Sequence, residues 1–225
     1  VLAIVKSHMV CKKRKPQGYR YSNSFKQFAL TIYFLGPSVY RFLKSNLSLP
    51  TIRTLRRVTS KYELNPGLND FLFQFLQFKM SNFDSDARDC ILCADEMALK
   101  SHLFYSLKKD EIIGFHQTNS TKQYSPAKYA LVLMIHGIKL NWKQPIAYFL
   151  VSSSCEVKDL YDIIISTITK LQNVSLNVKA FITDQGSNFV SFSRKVYVSP
   201  SRPYFNVNEQ KIIYIFDPPH LLKST

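Results

Sequence analysis

The strongest constraint on what this chain can fold into is a change of hydrophobic period near residue 90. Before it, apolar residues recur every three or four positions; after it, they come in short runs bounded by turn residues. From Ser22 onward, Phe25, Phe28, Ala29, Ile32 and Tyr33 mark one helical face, with Ser22 or Ser24 as N-cap and Gly36-Pro37 as terminator. Ser38 can start a second helix in which Tyr40, Leu43 and Leu47 share a face. Pro50 opens a third stretch, TIRTLRRVTSKY, bearing Arg53, Arg56, Arg57 and Lys61. Asn65-Pro66-Gly67 then punctuates the chain. The following LNDFLFQFLQFKMSNF predicts a strongly apolar helix, with Phe71, Phe75 and Phe78 beside Leu72, Leu76 and Met80, serving as core or as an interdomain brace. Asp84, Asp86 and Asp89 make a solvated turn into the first strand.

Beyond that point the pattern predicts strands over 90–97, 129–138, 145–151, 178–183 and 211–216, and a helix over 157–171. Asp110 is placed to turn a hairpin whose second arm is 111–115. Strands first, then helices alternating with strands, is an α/β pattern with a mixed sheet and flanking helices. The expected organisation is a basic linker over 1–20, an all-α helix-turn-helix-like segment over 21–66, a connecting helix and linker over 67–89, and the α/β domain over 90–225. Three short helices with tight turns and a basic last helix fit a helix-turn-helix, whose last helix enters the major groove. A plain three-helix bundle is the alternative.

Charge separates the same two regions. Residues 1–66 hold 13 Lys and Arg against one acid, Glu63, a net of +12; residues 67–225 hold 17 against 14, a net of +3. Excess so concentrated attracts polyanions, of which nucleic acid is the commonest. Lys12, Lys13, Arg14 and Lys15 form a nuclear-localisation patch or a phosphate-binding arm, or simply a solvated run. No apolar run approaches the ~20 residues needed to span a bilayer, so no membrane partner is expected. Cys90 and Cys93 have metal-ligand spacing, but they sit in the apolar run CILCA and no second Cys or His pair follows, so a buried strand is the expectation over a zinc site.

Two aspartates stand out because each follows an apolar strand: Asp95 after ILCA, and Asp184 after AFIT. Carboxylates at strand ends can converge on Mg²⁺, which takes hard oxygen ligands. Metal held so can activate a water or 3′-hydroxyl and stabilise the leaving oxygen in phosphodiester transfer. Asp217, in FDPPHLLKST, ends a further strand and is either a third ligand or the cap of a following helix.

The order of these motifs resembles the P-element and THAP-type DNA transposases. DEMALKSHLFYSLKKDEIIGF (95–115) looks like that family's first catalytic strand and hairpin, and KYALVLMIHGIKLNWKQPIAYFLV (128–151) is similar to its next strands. ITDQGSNF (182–189) resembles its second Asp motif, with Asn188 four residues after Asp184, and FDPPHLLKST resembles the segment leading to its GTP-binding insertion. SFKQFALTIYFLGPSVYRFLKSNLSLPTIRTLRR (24–57) is similar to its helix-turn-helix region. The resemblance implies an RNase H-like fold in which Asp95 and Asp184 bind Mg²⁺ for strand cleavage and joining at transposon ends. It also implies a nuclear protein that is a homo-oligomer in the complete enzyme. The family's third carboxylate, a Glu beyond the GTP-binding insertion, and its N-terminal zinc module are not among these 225 residues, so the expectation is a catalytic centre half present. The alternative is a domesticated, catalytically inactive DNA-binding derivative. A base methyltransferase, echoed by Asp217-Pro-Pro-His220, lacks the aromatic ring that stacks on a flipped base and a Gly-rich cofactor loop. A purely structural role is the remaining rival.

Overall fold

The computed structural model describes residues 18–60, 65–81, 84–107, 109–119 and 121–217. The basic run Lys12, Lys13, Arg14 and Lys15, together with Lys61 and the PPHLLKST segment, lies outside the described residues. The chain divides into two compact units, Val1–Leu64 and Asn65–Thr225.

Among the described residues the first unit has three helices: α1 (Asn23–Leu35), α2 (Pro37–Asn46) and α3 (Ile52–Thr59). Ser22 caps α1, its hydroxyl accepting from Phe25 N at 3.2 Å. Gly36 ends α1 and Pro37 opens α2, one residue before the Ser38 start expected from sequence; Pro suits this place because the first-turn N–H has no helical partner. Thr51 caps α3 by accepting from Thr54 N. The core is Phe25, Ala29, Tyr40, Leu49 and Leu55. Tyr40 is fully buried and donates its hydroxyl to the Pro50 carbonyl at 2.7 Å, which pins the α2–α3 turn.

The second unit is built on a nine-stranded mixed sheet. Its strands are β1 (Gly67–Leu68), β2 (Asp89–Ala98), β5 (Phe115–Gln117), β6 (Lys122–Pro126), β7 (Tyr129–Gly137), β8 (Lys143–Val151), β9 (Asn177–Thr183), β10 (Tyr204–Val207) and β11 (Gln210–Phe216), while β3 (Phe104–Ser106) and β4 (Glu111–Ile113) form a separate hairpin. The order is β10-β11-β9-β2-β7-β8-β5-β6, with β1 on β8. Strands β2, β9 and β11 are mutually parallel, and β7 and β8 run antiparallel beside β2. The helices are α4 (Asp70–Ser81), α5 (Val157–Asn173) and α6 (Ser187–Lys195). Asp110 turns the β3–β4 hairpin in the left-handed region at φ 54, as its position in the sequence suggested.

Strand alternation sets the core. Cys90, Leu92 and Ala94 point one way on β2 and join Phe181, Tyr214, Leu160, Ile164, Phe189 and Phe192 in one buried cluster. Cys93, three residues from Cys90, therefore faces the other side of the sheet. A strand cannot aim both thiols at one metal ion, so the buried-strand reading of CILCA holds. Burial pushes the Cys90 thiol up to about 12.

α4 contributes Phe73, Leu76 and Met80 to this core, while Phe71, Phe75 and Phe78 are exposed. The sequence pointed to the wrong phenylalanines because an apolar residue occupies nearly every direction around this helix. Its ends are tied by an ion pair from Asp70 to Lys170 and by Lys79 over the Trp142 ring at 5.6 Å. Gly137 is required under that ring, since a Cβ there would lie 2.3 Å from Trp142 Nε1.

Candidate active site

The three parallel strands place the predicted carboxylates at one level of the sheet. Ala94, Thr183 and Phe216 stand in register across β2, β9 and β11. Asp95, Asp184 and Asp217 are the next residue on each, so three non-adjacent sequence segments deliver an aspartate to one level of the sheet. The Asp217 N–H donates to the Thr183 carbonyl at 2.7 Å, extending the ladder by one bond.

Asp184 and Asp217 directly follow their strands, but Asp95 lies inside β2, which runs on to Ala98. That corrects the expectation of a strand-end Asp95. The reason is that β2 has two neighbours: β9 stops pairing at Thr183, while β7 continues to Tyr129. Asp95 is exposed, and Asp184 is half-buried. Asp184 Oδ1 accepts from Gly186 N at 2.9 Å, folding the loop after β9 back on itself. A Cβ at Gly186 would sit 2.8 Å from Asn188 Oδ1 and 3.1 Å from Asp184 Oδ1, so glycine makes room for that turn.

Glu96 is the residue that sequence reasoning missed. It shares the helix-facing side of β2 with Leu92 and Ala94, opposite to Asp95. Its Oε1 accepts from Cys155 N at 2.8 Å and Asn188 Nδ2 at 2.9 Å, and its Oε2 from Ser154 Oγ at 3.3 Å. One carboxylate thus ties the strand bearing Asp95 to the chain entering α5 and to the first turn of α6. Burial holds its carboxyl above the usual range, and the negative charges of Asp184 and Asp95 add to that; the bonds from Cys155 and Ser154 oppose it. The available signal was the period of two itself: a second carboxylate directly after Asp95 must face the other side of the strand.

None of the ion pairs among the described residues involves Asp95, Asp184 or Glu96. Asp95 and Asp184 at this end of the sheet thus carry hard oxygen donors, the donor chemistry that suits Mg²⁺. Among the described residues no three His, Cys, Asp or Glu side chains already stand as a metal cluster.

In the first unit, Arg53, Arg56 and Arg57 are exposed on α3, and Leu55 is fully buried on its other side. These three of the cations expected to meet nucleic acid thus share one outward surface. No helix of the described residues is long and apolar enough to cross a membrane.

Residues 64–197 match the family model of the TNP-like RNase H N-terminal domain. The chain belongs to that family. Residues 3–57 match the model of the transposable element P transposase-like HTH domain, so the first unit's three helices belong with that module. Human DNA transposase THAP9 is 28% identical over 214 residues, which cover 90% of this chain and 24% of that protein. The transposable element P transposase of Drosophila melanogaster is 26% identical over 204 residues, 87% of this chain and 24% of the relative. The chain therefore spans about a quarter of the length of these curated relatives. A solved Drosophila P element transposase strand transfer complex superposes with a TM-score of 0.77 at 23% identity, covering 98% of this chain and 47% of that one. The RNase H-like mixed sheet with flanking helices and the helical segment before it are thereby established, and the methyltransferase reading is excluded by family.

Proposed function

We propose that this chain supplies the DNA-gripping module and the carboxylate-bearing strands of a P-element-type transposase, acting in the nucleus on transposon ends as a homo-oligomer in the complete enzyme. In this reading the first unit holds duplex DNA through Arg53, Arg56 and Arg57, with Lys12, Lys13, Arg14, Lys15 and Lys61 adding charge. Asp95 and Asp184 hold Mg²⁺, and Asp217 flanks them. When bound, the metal supplies Lewis-acid stabilisation of the attacking and leaving oxygens in phosphodiester cleavage and strand transfer. The protein's own contribution is positional: Glu96 and the Asp184–Gly186 turn hold the two strands so that both carboxylates keep a fixed separation.

The observation that carries this reading is the common level of Asp95, Asp184 and Asp217 on three neighbouring parallel strands. The curated relatives, both transposases, and a structural relative captured as a strand transfer complex support the class of reaction. The test is calorimetric titration of Mn²⁺ into the chain bound to duplex DNA. Uptake is expected in the wild type, lost in Asp95→Asn and in Asp184→Asn, and weakened in Asp217→Asn. Equal uptake by all four proteins would sink the metal assignment.

The rival reading is a non-catalytic DNA-binding derivative that keeps the exposed α3 arginines Arg53, Arg56 and Arg57. Mg²⁺-dependent nicking of a transposon-end duplex by the protein would exclude it.

A further inference from the structure

The first unit carries a hollow of about 690 Å³ that none of the arginines expected from sequence to read DNA would suggest, apart from Arg57 at its edge. Its walls come from three separate stretches: Arg20 ahead of α1, Lys26 in α1, Lys44 near the end of α2, and Thr51, Thr54 and Arg57 on α3. The pinned α2–α3 turn forms its back, because Tyr40 fixes Pro50 and Leu49 is buried beneath it. Four cations thus converge on one concave surface. Residues 1–60 contain no Asp or Glu, and none of the four cations makes an ion pair among the described residues. Like charges drawn together without a counter-charge repel, so the arrangement is complete only with an anion between them.

We propose that this hollow seats a backbone phosphate of duplex DNA, with Lys26 and Lys44 as its principal cations and Arg20 and Arg57 at the rim. The inference rests on the reading that the first unit binds DNA. The threonines fit the same ligand. Thr51 and Thr54 hydroxyls lie 3.0 Å apart, and one hydrogen between them satisfies that contact. The other hydroxyl hydrogen remains to donate to a phosphate oxygen. A polynucleotide backbone suits the site better than a free nucleotide for two reasons. Tyr21, one of two tyrosines lining the hollow, is already stacked on Phe25 at 5.7 Å, with its ring at right angles to Tyr19 at 6.3 Å. Arg57 also stands one helical turn from Arg53, so a strand held in the hollow passes directly onto the outward arginine surface of α3.

Fluorescence anisotropy of the full chain with a mixed-sequence 30-base-pair duplex, between 50 and 250 mM NaCl, tests this. Neutralising two phosphate contacts makes the slope of log K against log salt shallower by about two. Lys26→Ala/Lys44→Ala is expected to show that change, with Lys26→Arg/Lys44→Arg keeping the wild-type slope. An unchanged slope in the alanine pair, while Arg53→Ala/Arg56→Ala weakens binding, would overturn the hollow as a phosphate seat and leave DNA binding by α3 standing. Failure of the wild type to bind duplex at 50 mM NaCl would remove the DNA reading and the seat together. Titration of inorganic phosphate or GTP separates the remaining source. Tight binding of either that depends on Lys26 and Lys44, without duplex binding that does, would make it a free-anion site and overturn the proposal.

Discussion

The two units of this chain handle charge and burial in opposite ways. Among the described residues the first folds around five buried residues and shows no ion pair for its cations, with no acid in residues 1–60. The second folds around a cluster extending from Phe73 to Tyr214 and pairs some of its lysines with its own acids: Lys139 with Asp86, Lys170 with Asp70 and Lys179 with Asp89 at 3.6 Å. Asp95 and Asp184, where β2 and β9 part, take no share in the ion pairs among the described residues. The proposed function assigns these two features ligands of opposite charge: a polyanion on the first unit and a hard cation on the second.

The contrast in core size yields the largest expected effects. Phe181 is fully buried, with ring contacts to Phe192, Phe205 and Tyr214 at 5.7, 6.3 and 5.4 Å. Phe181→Ala should cost about 3–5 kcal/mol and move only the second unit's transition in urea unfolding. Leu55→Ala removes one of five core residues from the first unit and should cost about 2–5 kcal/mol there. Hydrogen exchange should then report loss of protection in α1–α3 with β2, β7 and β9 unchanged. A single merged transition in both variants would contradict the division into units.

Glu96 comes next in size. Glu96→Ala strands the Cys155 N–H and the Asn188 amide, and should cost about 1–3 kcal/mol in the second unit. Glu96→Gln keeps the shared acceptor oxygen and should recover most of it. If the two substitutions destabilise equally, the charge of Glu96 matters rather than its role as acceptor. On the first unit's exposed surface, Arg56→Ala should leave stability within about 0.5 kcal/mol while weakening duplex binding in a salt-dependent way. The smallest effect is expected at the exposed Asp86. A hydrogen bond from Lys139, then its charge, holds this carboxyl below the usual range. A depressed carboxylate contributes stability above its unfolded pKa and loses it as pH falls through the folded value. Asp86→Asn should therefore lower the unfolding temperature slightly at pH 7 and not at all at pH 2; an effect that grew in acid would reverse the sign of the argument.

Much of the fold was legible along the chain because helical and strand periods are local properties. Ser22, Gly36-Pro37 and Pro50 mark the helix boundaries to within a residue or two, and the apolar runs that became β2, β7, β8, β9 and β11 fall within a few residues of their expected limits. The short strands β5, β6 and β10 and helix α6 were not anticipated. β6 is largely exposed and polar, and β5 and β10 are three and four residues long, so pairing with neighbours decides them rather than any pattern of their own. α6 begins immediately after the Asp184–Gly186 turn without a side-chain cap, and its start depends on Asn188 reaching Glu96.

The candidate site divides along the same line. Asp95, Asp184 and Asp217 could be chosen from sequence because a carboxylate after an apolar strand is a local feature. Their common level could not be read there, because it depends on the parallel registers of β11 and β2 against β9, and register between strands up to about a hundred residues apart is set by packing against α5 and α6. The same holds for the cationic hollow. Composition along residues 1–66 dictates that the first unit is strongly basic, whereas only the fold around Tyr40 and Pro50 brings Arg20, Lys26, Lys44 and Arg57 from three stretches to one surface. Charge and period belong to the chain; convergence belongs to the tertiary structure, because it requires distant segments to share a buried core.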